Sequence, residues 1–572
     1  IRFVLVLFVV VVQCSLEKKN DDVVLIIADD LRPELAGSVY GCDHVSTPNL
    51  AKLSAESVSF TSAYAQIALC APSRNSFLSG RAPDITLAYQ FINHFREVGP
   101  AWTTLPQVFK KMGYTVVGAG KVFHPSLPPN WDMPLSWDVR MNNSEWDPWL
   151  YPHEPRCPLN TSWCAVSNDH NISLFEDTQT SAQIDKLFAN ISEPYFLAVG
   201  FRKPHLQWRY PSKFQHHDSI PLPRYKYFPI DAPTIAFHMP YEELSAFSDV
   251  NACGGAQSMA PNFSYPIQCQ LAWRRAYYSA TAFVDNEIGH ILSRATSQKT
   301  AIVFFGDHGW HLGDAAEWEK FTNFENAVRV PLMIKHHSLK PHIRYDPVEL
   351  LDVFPTLASI LNFNTNFITH ESHPLDGRNL FFHYSSTTGY SQNYLQDSMF
   401  FAARSQFPRC VGGLEYNNGT INNSYPFWYL NDCNDVPRAN FSHMGYSLRT
   451  SNWRFTAWFF WDGYTSLPLH GFRSTPFAIE LYSHFQDNGT CPSHSFDFED
   501  RNLATISHYQ PLIKYFLAAL PFLFGPNTIR RTALTIHSAH NTPSLSTPSQ
   551  LPPFLFESVS SLFSPISALP QQ

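Results

Sequence analysis

The stretch VVLIIADD, at residues 23–30, gives the clearest indication of the fold class. Its first six residues are apolar and mostly β-branched, which predicts a strand buried on both faces of a sheet. Similar apolar runs stand at residues 115–118, 195–200 and 301–305, and helical patterns stand between the runs at residues 47–57, 105–112, 180–189 and 274–296. This alternation predicts an α/β fold in which a large, mostly parallel sheet is sandwiched by helices.

The pattern changes towards the C-terminus. Short aromatic strands at residues 446–449 and 453–460 predict a smaller domain with an antiparallel sheet. We therefore expect a catalytic domain over residues 20–440 and a C-terminal subdomain over residues 441–520. Residues 521–572 are rich in Ser and Pro and show no amphipathic period, so they predict a disordered tail.

The N-terminal segment predicts the route of the protein through the cell. Arg2 is followed by an apolar run over residues 3–12 and a charged stretch over residues 17–19, the pattern of a signal peptide, here assigned to residues 1–15. The alternative is a buried N-terminal strand. The best later candidate for a membrane span, residues 515–524, is short and contains Pro521, so we expect no membrane span.

Glycosylation motifs and cysteines point to the same route. The sequence contains nine N-x-S/T motifs, at Asn142, Asn160, Asn171, Asn190, Asn262, Asn418, Asn422, Asn440 and Asn488. Of the 10 cysteines, an even number remains once Cys14, in the signal peptide, and Cys70, discussed below, are set aside. The plausible local pairs are Cys157–Cys164, Cys253–Cys269 and Cys410–Cys433, which leave Cys42 and Cys491, although sequence alone does not fix the connectivity. We expect the secretory pathway, with either the lysosome or the exterior as destination.

Composition excludes some functions. Hydrophobic residues make up 44% and charged residues 15% of the 572 residues, which is a globular composition. The formal net charge of −8 provides no global basic field, so we expect no nucleic-acid partner.

Acidic residues follow two of the predicted strands. Asp29-Asp30 ends the first strand, and Asp307-His308 follows a later one. Ligands of parallel sheets lie beyond the carboxyl ends of the strands, and carboxylate oxygens suit a hard cation such as calcium or magnesium. Taken alone, Asp29-Asp30 is more typical of a helix cap or a turn, and it is the second acidic strand end that favours a cation site.

The most specific motif is CAPSR at residues 70–74, followed by SGR at residues 79–81. A cysteine there could be a buried thiol or half of a disulfide. The motif, however, resembles the signature of the sulfatase family, in which an enzyme of the endoplasmic reticulum oxidises the motif cysteine to formylglycine. That modification agrees with the secretory route predicted from the N-terminus.

Further segments narrow the resemblance to the branch of the family that hydrolyses the 2-sulfate of iduronate. They are DDLRP at 29–33, GKVFHP at 120–125, KPH at 203–205, DHGW at 307–310, EWEK at 317–320 and MGYSLRT at 444–450. His308 stands where most sulfatases have Asn. The chain departs from the pattern after residue 503 and within residues 131–163 and 251–270, which leaves the sugar open.

The resemblance implies an alkaline-phosphatase-like fold, one Ca²⁺ ion and a set of site residues. The metal ligands would be Asp29, Asp30, residue 70, Asp307 and His308, and the catalytic residues would be Cys70, Arg74, Lys121, His124, His205 and Lys320. Cys70, converted to formylglycine and hydrated, would attack sulfur. Arg74 and His124 would position and deprotonate the hydrate, while Lys121 and Lys320 would neutralise sulfate oxygens. His205 would protonate the leaving oxygen, and ordinary histidine pKa values would favour an acidic working pH.

The resemblance thus predicts a sulfuric ester hydrolase that removes the 2-sulfate of terminal iduronate during dermatan sulfate and heparan sulfate degradation. Its partners would be a sulfated glycosaminoglycan or oligosaccharide and the formylglycine-generating enzyme. One alternative is an arylsulfatase or another glycan sulfatase, and a second is an inactive sulfatase-like protein that binds glycans. Phosphatases and phosphodiesterases of the same fold usually carry Ser or Thr as nucleophile and two zinc ions, which Cys70 in an intact motif disfavours.

Overall fold

The structure is a computed structural model that describes residues 21–138, 156–167, 172–216, 220–238, 243–255, 264–363, 371–381, 402–411, 430–431, 433–490 and 498–525. The strands are β1 Val23–Ala28, β2 Val58–Tyr64, β3 Thr115–Gly120, β4 Trp163–Val166, β5 Tyr195–Phe201, β6 Trp208–Pro211, β7 Ala301–Gly306, β8 His311–Leu312, β9 Trp318–Glu319, β10 Arg329–Lys335, β11 His342–Arg344, β12 Val348–Glu349, β13 Ala403–Val411, β14 Leu430–Asn431, β15 His443–Arg449, β16 Trp453–Asp462, β17 Leu467–Pro468 and β18 Ala478–Ser483. The α-helices are α1 Pro48–Ala55, α2 Cys70–Ser79, α3 Pro83–Thr86, α4 Leu105–Lys111, α5 Glu176–Phe188, α6 Ser248–Ala252, α7 Ile267–Arg294, α8 Glu325–Val328, α9 Val353–Ile360 and α10 Gln510–Leu523.

The large sheet has the strand order β11-β2-β10-β7-β1-β5-β3, with β12 paired to β2. Strand β1 lies in the interior and runs parallel to both β5 and β7. The predicted α/β sandwich with a mostly parallel sheet is therefore confirmed. Strand β10 is the exception, because it runs antiparallel to both β7 and β2.

The two faces of β1 explain its continuous apolar sequence. Val23, Leu25 and Ile27 belong to the hydrophobic core that includes residues of α2, α4 and α9. The alternate residues, from Val24 to Ala28, belong to the core on the other face, which includes residues of α1, α5 and α7. Successive strand side chains point to opposite faces, so a strand covered on both sides must be apolar at every position.

The second sheet is antiparallel, with the order β14-β13-β15-β16-β17 and β18 paired to β16. Helix α10 packs on it, and the rings of Phe455 and Phe516 stack with their centroids 4.9 Å apart. Strand β13 lies before residue 441, where we expected the C-terminal subdomain to begin. Helix α10 extends to Leu523, inside the expected tail of residues 521–572. Residues 521–523 are helical because the apolar face of α10 is buried on the sheet. Residues 526–572 lie outside the described residues.

Three predicted disulfides are present, joining Cys157 to Cys164, Cys253 to Cys269 and Cys410 to Cys433. Cys42 is also disulfide-bonded, whereas Cys491, Cys14 and the expected signal peptide lie outside the described residues.

Four of the nine N-x-S/T asparagines are described, and all four are exposed: Asn160, Asn190, Asn440 and Asn488. The other five, Asn142, Asn171, Asn262, Asn418 and Asn422, lie outside the described residues. Within the described ranges, no helix has the length and apolar character that a membrane crossing requires.

Candidate active site

The candidate site lies at the carboxyl ends of β1 and β7. Ala28 pairs with Gly306 in the sheet, so Asp29 and Asp307 leave neighbouring strands side by side. The backbone N–H of Asp30 donates to Oδ1 of Asp307 at 3.0 Å. Asp30 has a φ of 60°, in the left-handed region that non-glycine residues seldom occupy, and its carbonyl accepts from the Tyr277 hydroxyl at 2.6 Å. A strained backbone held by specific contacts is typical of functional sites.

Helix α2 brings Cys70 to these carboxylates. Cys70 is the first residue of the helix, all of whose residues are buried, and Gly80 ends it with a φ of 70°. A Cβ at Gly80 would clash with Leu375 and Phe354, so glycine suits both the backbone and the space. The Ser73 hydroxyl donates to the carbonyl of Asp307 at 2.6 Å and joins the helix to β7. The positive end of the helix dipole therefore lies at residue 70.

Four of the predicted metal-site residues converge. Ligand atoms of Asp29, Asp30, Cys70 and His308 all lie within 4.8 Å of one another, and all four residues are buried. Nε2 of His308 lies 3.3 Å from Sγ of Cys70. Asp307, the fifth predicted ligand, adjoins this group, but its carboxylate already accepts from Arg74 Nε at 3.0 Å and from two backbone N–H groups.

Three predicted cationic residues surround the cluster. Arg74 donates to Asp29 at 3.1 Å as well as to Asp307, and also to the carbonyl of Val122 at 3.0 Å. Lys121 forms an ion pair with Asp29. Lys320 Nζ lies 3.0 Å from Oδ1 of Asp30 and 3.4 Å from the Cys70 sulfur. Asp29 thus forms ion pairs with two cationic side chains, Arg74 and Lys121, while Asp30 forms one with Lys320.

This uneven distribution of cations separates the pKa values of the carboxyl groups. Burial raises the pKa of Asp29, but Lys121 and Arg74 outweigh it and hold that pKa well below its usual value. Burial raises the pKa of Asp30 well above its usual value, because Lys320 does not compensate for burial and the neighbouring charges. Burial and the charge of Asp29 also raise the pKa of Asp307. Two buried carboxyl groups thus lack full charge compensation.

The cluster fits a hard divalent cation. Oδ2 of Asp30 is buried and accepts no hydrogen bond within the described part of the chain. A buried, unpartnered carboxylate oxygen is costly unless a charge lies beside it. Carboxylate oxygens are preferred calcium ligands, so Asp29 and Asp30 supply suitable donors.

Two glycines allow Lys121 to reach the site. The N–H of Lys121 donates to the carbonyl of Gly200 at 2.8 Å. A Cβ on Gly200 would lie 2.0 Å from the carbonyl oxygen of Lys121, and Gly120 has a φ of 70°. Neither position accepts a larger residue without displacing the chain segment that carries Lys121.

The two predicted acid–base histidines lie at the margin of the cluster. Nε2 of His205 is 3.9 Å from Oδ2 of Asp30, and its Nδ1 is 2.7 Å from the carbonyl of Leu206. His124 stacks near Phe91, with ring centroids 4.9 Å apart, and its Nδ1 is 3.1 Å from the carbonyl of Pro125.

The expectation of ordinary histidine pKa values is wrong for this structure. Burial, followed by the charge of Lys121, lowers the pKa of His124 to about 3. The same causes lower the pKa of His205 well below its usual value.

Sequence reasoning missed three contributors to the site. Tyr277 and Ser73 hold the backbone around the carboxylates, and Glu243 forms an ion pair with Lys320 at 2.9 Å. Ser73 lies within the CAPSR motif and could have been found there. Tyr277 and Glu243 lie in segments with no recognisable motif, so no local signal marks them.

Comparisons with known proteins agree with this geometry. A family model described as Sulfatase matches residues 21–363. Iduronate 2-sulfatase of Mus musculus is 31% identical over 505 residues, which cover 77% of this chain and 85% of that protein. Iduronate 2-sulfatase of Homo sapiens is 31% identical over 489 residues, which cover 76% and 84%.

A solved structure supports the fold. The phosphonate monoester hydrolase of Agrobacterium radiobacter superposes with a TM-score of 0.61 at 17% identity, covering 88% of this chain and 95% of its own. This likeness concerns the fold alone. Because the family model spans more than half of the chain and the relatives cover most of it, the chain belongs to the sulfatase family of sulfuric ester hydrolases and has its alkaline-phosphatase-like fold.

Proposed function

We propose that this sulfatase removes the 2-sulfate of terminal iduronate in dermatan sulfate and heparan sulfate degradation, with calcium and a formylglycine made from Cys70. The observation that carries the proposal is the convergence of Asp29, Asp30, Cys70 and His308 at the start of α2. The sugar assignment is supported by the 31% identity to proteins named iduronate 2-sulfatase.

The metal site would comprise Asp29, Asp30, Asp307, His308 and an oxygen of the modified residue 70. Calcium, when bound, supplies the positive charge that orients a sulfate ester and offsets charge on its oxygens. The unpartnered Oδ2 of Asp30 is the atom that most needs such a charge. Asp307 contributes by holding the Asp30 backbone through its Oδ1.

Residue 70 needs conversion because its thiol is a poor nucleophile in this position. Burial, with a further contribution from Asp29, raises the pKa of Cys70 to about 11, so the group is a thiol at neutral pH. Formylglycine supplies, when hydrated, an oxygen nucleophile where the sulfur now lies. The formylglycine-generating enzyme is the partner that this step requires.

The remaining residues divide into cations that face the substrate and groups that position them. Lys121 and Lys320 would neutralise sulfate oxygens, because both reach the cluster with their ammonium groups. Arg74 donates to two carboxylates and to backbone carbonyls, contacts that suit a residue which positions Asp29 and Asp307.

The histidines would move protons through Nε2, since Nδ1 of each lies at a backbone carbonyl. His124 would take a proton from residue 70, and His205 would donate one to the leaving oxygen. The lowered pKa values of both rings oppose the charged form in the ligand-free protein. The negative charge of a bound sulfate ester would raise those pKa values, so the acid form of His205 would arise with substrate bound.

We also propose that the protein follows the secretory route to the lysosome or the exterior. Three disulfides and four exposed N-x-S/T asparagines support this, since both features are typical of oxidising, glycosylating compartments.

The test uses protein from a host that makes formylglycine, with conversion of residue 70 confirmed by peptide mass. Sulfate release is followed with a disaccharide ending in 2-sulfated iduronate and with a simple aryl sulfate, with and without calcium, at acidic and neutral pH. We expect calcium-dependent turnover that prefers the disaccharide. Turnover of the aryl sulfate alone would contradict the sugar assignment and favour an arylsulfatase. An unconverted thiol in native material, with glycan binding and no turnover, would favour the inactive glycan-binding protein.

A further inference from the structure

Lys320 is shared between two carboxylates that belong to different parts of the site. Its Nζ lies 3.0 Å from Oδ1 of Asp30 and 2.9 Å from Oε1 of Glu243, and the lysine side chain is fully buried. Asp30 belongs to the four-residue cluster with Asp29, Cys70 and His308, whereas Glu243 lies outside that cluster and meets Asp30 and His205 in a separate group. The lysine therefore bridges a candidate metal ligand and a carboxylate outside the metal cluster.

Glu243 is held in place by the residue next to Lys320. Oε1 of Glu319 accepts the backbone N–H groups of Glu243 at 3.0 Å and of Leu244 at 2.5 Å. Oε2 of Glu319 lies 2.9 Å from Nε2 of His238, and both side chains are buried. The segment that carries Glu243 is thus fastened to the segment that carries Lys320, and the ion pair between them is built into the fold.

The Glu243 carboxylate can also accept a further hydrogen bond. Its Oε2 is buried and accepts no hydrogen bond from any described residue. A carboxylate with one paired and one unpaired buried oxygen can accept a second donor from the same ammonium group, which carries three N–H bonds. Glu243 can therefore hold Lys320 more strongly than it does here.

A cation that binds Asp30 must compete with Lys320 for the same carboxylate. Like charges at close range in a buried site repel, so metal loading is costly if the ammonium group has no other partner. Glu243 offers that partner within reach of the present Lys320 position.

We propose that Glu243 is a positioning residue that becomes the main ion-pair partner of the Lys320 ammonium group when a cation binds Asp30. This shift lowers the free-energy cost of metal loading. This inference rests on the proposed function, because it assumes that calcium binds the Asp29–Asp30 cluster. It assigns to Lys320 and Glu243 a role in metal affinity, in addition to any contact of Lys320 with the sulfate group.

The experiment measures calcium binding directly, by titration calorimetry on full-length, calcium-free protein with converted residue 70. The central comparison is between wild type, Glu243→Gln, Lys320→Met and the double variant, with Glu243→Asp and Glu56→Gln as further variants. We expect Glu243→Gln to raise the calcium Kd about 10-fold, which is the order of one charge-assisted hydrogen bond. Lys320→Met should bind calcium at least as tightly as wild type, because the competing cation is gone.

The double variant tests the mechanism. In the Lys320→Met background, Glu243→Gln should have no further effect on the calcium Kd, because there is no ammonium group left to hold. Glu243→Asp should bind nearly as wild type does. Glu56→Gln is the matched control, since it breaks a Glu–Lys ion pair with Lys335, which lies at the opposite end of the strands from the site. Thermal unfolding of each calcium-free variant shows whether it is folded.

Each other outcome overturns the inference in a recognisable way. Equal calcium affinity of wild type and Glu243→Gln shows that Glu243 does not assist metal loading. An equal loss in the Lys320→Met background shows that Glu243 acts by its own charge and not through Lys320. A wild-type protein that binds no calcium overturns the proposed metal itself, a failure that is separate from the first two.

Discussion

Two buried ionic clusters, similar in composition, behave differently in this molecule. The candidate active site combines three aspartates with three cations: Asp29, Asp30, Asp307, Arg74, Lys121 and Lys320. A second network, here called the interdomain network, combines three acidic residues with three arginines and a histidine: Glu325, Asp487, Glu499, Arg329, Arg449, Arg454 and His484.

The interdomain network is fully satisfied. Glu325 pairs with Arg449 at 3.1 Å and with Arg454, and within the described residues none of the network's side-chain polar atoms is both buried and unpartnered. Burial raises the pKa of Glu325, but Arg449 and Arg454 outweigh it and hold that pKa well below its usual value. This network contacts β2 through the Tyr64 hydroxyl and includes residues of β15 and β16, so it joins the two sheets.

The active-site cluster has as many basic as acidic side chains, but Oδ2 of Asp30 accepts no hydrogen bond within the described residues, and the pKa of Asp30 is raised. Geometry alone does not separate the two, because Glu325, His484 and Asp487 also lie close enough together to hold a metal. The difference lies in whether every acceptor already has a donor. A satisfied network stabilises a fold, and an unsatisfied one is prepared to bind a cation.

The largest expected effect is on the active-site side of this comparison. Cys70→Ala should reduce sulfate release on the order of 10⁴-fold or more, because it removes the residue that we propose becomes the nucleophile. Thermal unfolding should change little, because the small thiol contributes little to packing. Turnover close to that of wild type, measured as sulfate release, would sink the nucleophile assignment.

A substitution in the interdomain network should reduce stability and leave activity largely unchanged, the opposite of Cys70→Ala. Glu325→Gln removes the shared acceptor of Arg449 and Arg454, so we expect the free energy of unfolding to fall by about 3–5 kcal/mol. Turnover of the folded fraction should stay close to that of wild type. Urea unfolding and a specific-activity assay check both points, and a large loss of activity without a loss of stability would contradict the division of roles.

Removing the unsatisfied carboxylate should stabilise the calcium-free protein. The raised pKa of Asp30 means that its ionised form is unfavourable in the fold, so Asp30→Asn should raise the free energy of unfolding by about 1 kcal/mol without metal. The stabilisation that we expect from calcium in the wild type should vanish in this variant. Asp487→Asn in the interdomain network is the matched variant and should lose stability. A fall in the stability of metal-free Asp30→Asn would falsify the contrast drawn here.

The smallest expected effect concerns the pH dependence of stability. The pKa of His124 is about 3 in the fold, below the unfolded value of about 6.5, so below pH 6.5 the unfolded chain binds the proton that the folded one excludes. Stability should therefore fall as the pH drops from 6.5 towards 3. His124→Gln should recover about 1 kcal/mol at about pH 5.8 in calcium-free protein, measured by urea unfolding.

His508→Gln, which changes an exposed histidine, is the control for that measurement. An identical pH dependence in wild type and His124→Gln would show that the ring is protonated as readily in the fold as outside it.

Strands with a continuous apolar or strongly aromatic sequence were predictable, including β15 and β16, whereas β2 was not. Strands β1, β3, β5 and β7 carry continuous apolar or small residues, which gives a strong local signal. Strand β2, VSFTSAY, contains Ser59, Thr61 and Ser62 yet is buried throughout. The Thr61 hydroxyl donates to the carbonyl of Arg344, in a distant segment. No local pattern reports such partners.

The candidate site shows the same division. The residues predicted for it lie in contiguous motifs at strand ends and at the start of a helix, where parallel-sheet geometry brings them together. Glu243 was missed because its role depends on meeting Lys320 and on the carboxylate of Glu319, which holds its backbone. Such a contact forms only in the folded chain, and no sequence pattern near residue 243 indicates it.

The family, the α/β class and the chemical types present at the site followed from the sequence, because strand burial and motif identity are local properties of the chain. The pairing of each cation with its carboxylate, the lowered pKa values of His124 and His205, and the sharing of Lys320 with Glu243 emerged only from the fold. The physical reason is that desolvation and Coulomb energies depend on distances between residues far apart in sequence. Those distances exist only once the sheet has formed.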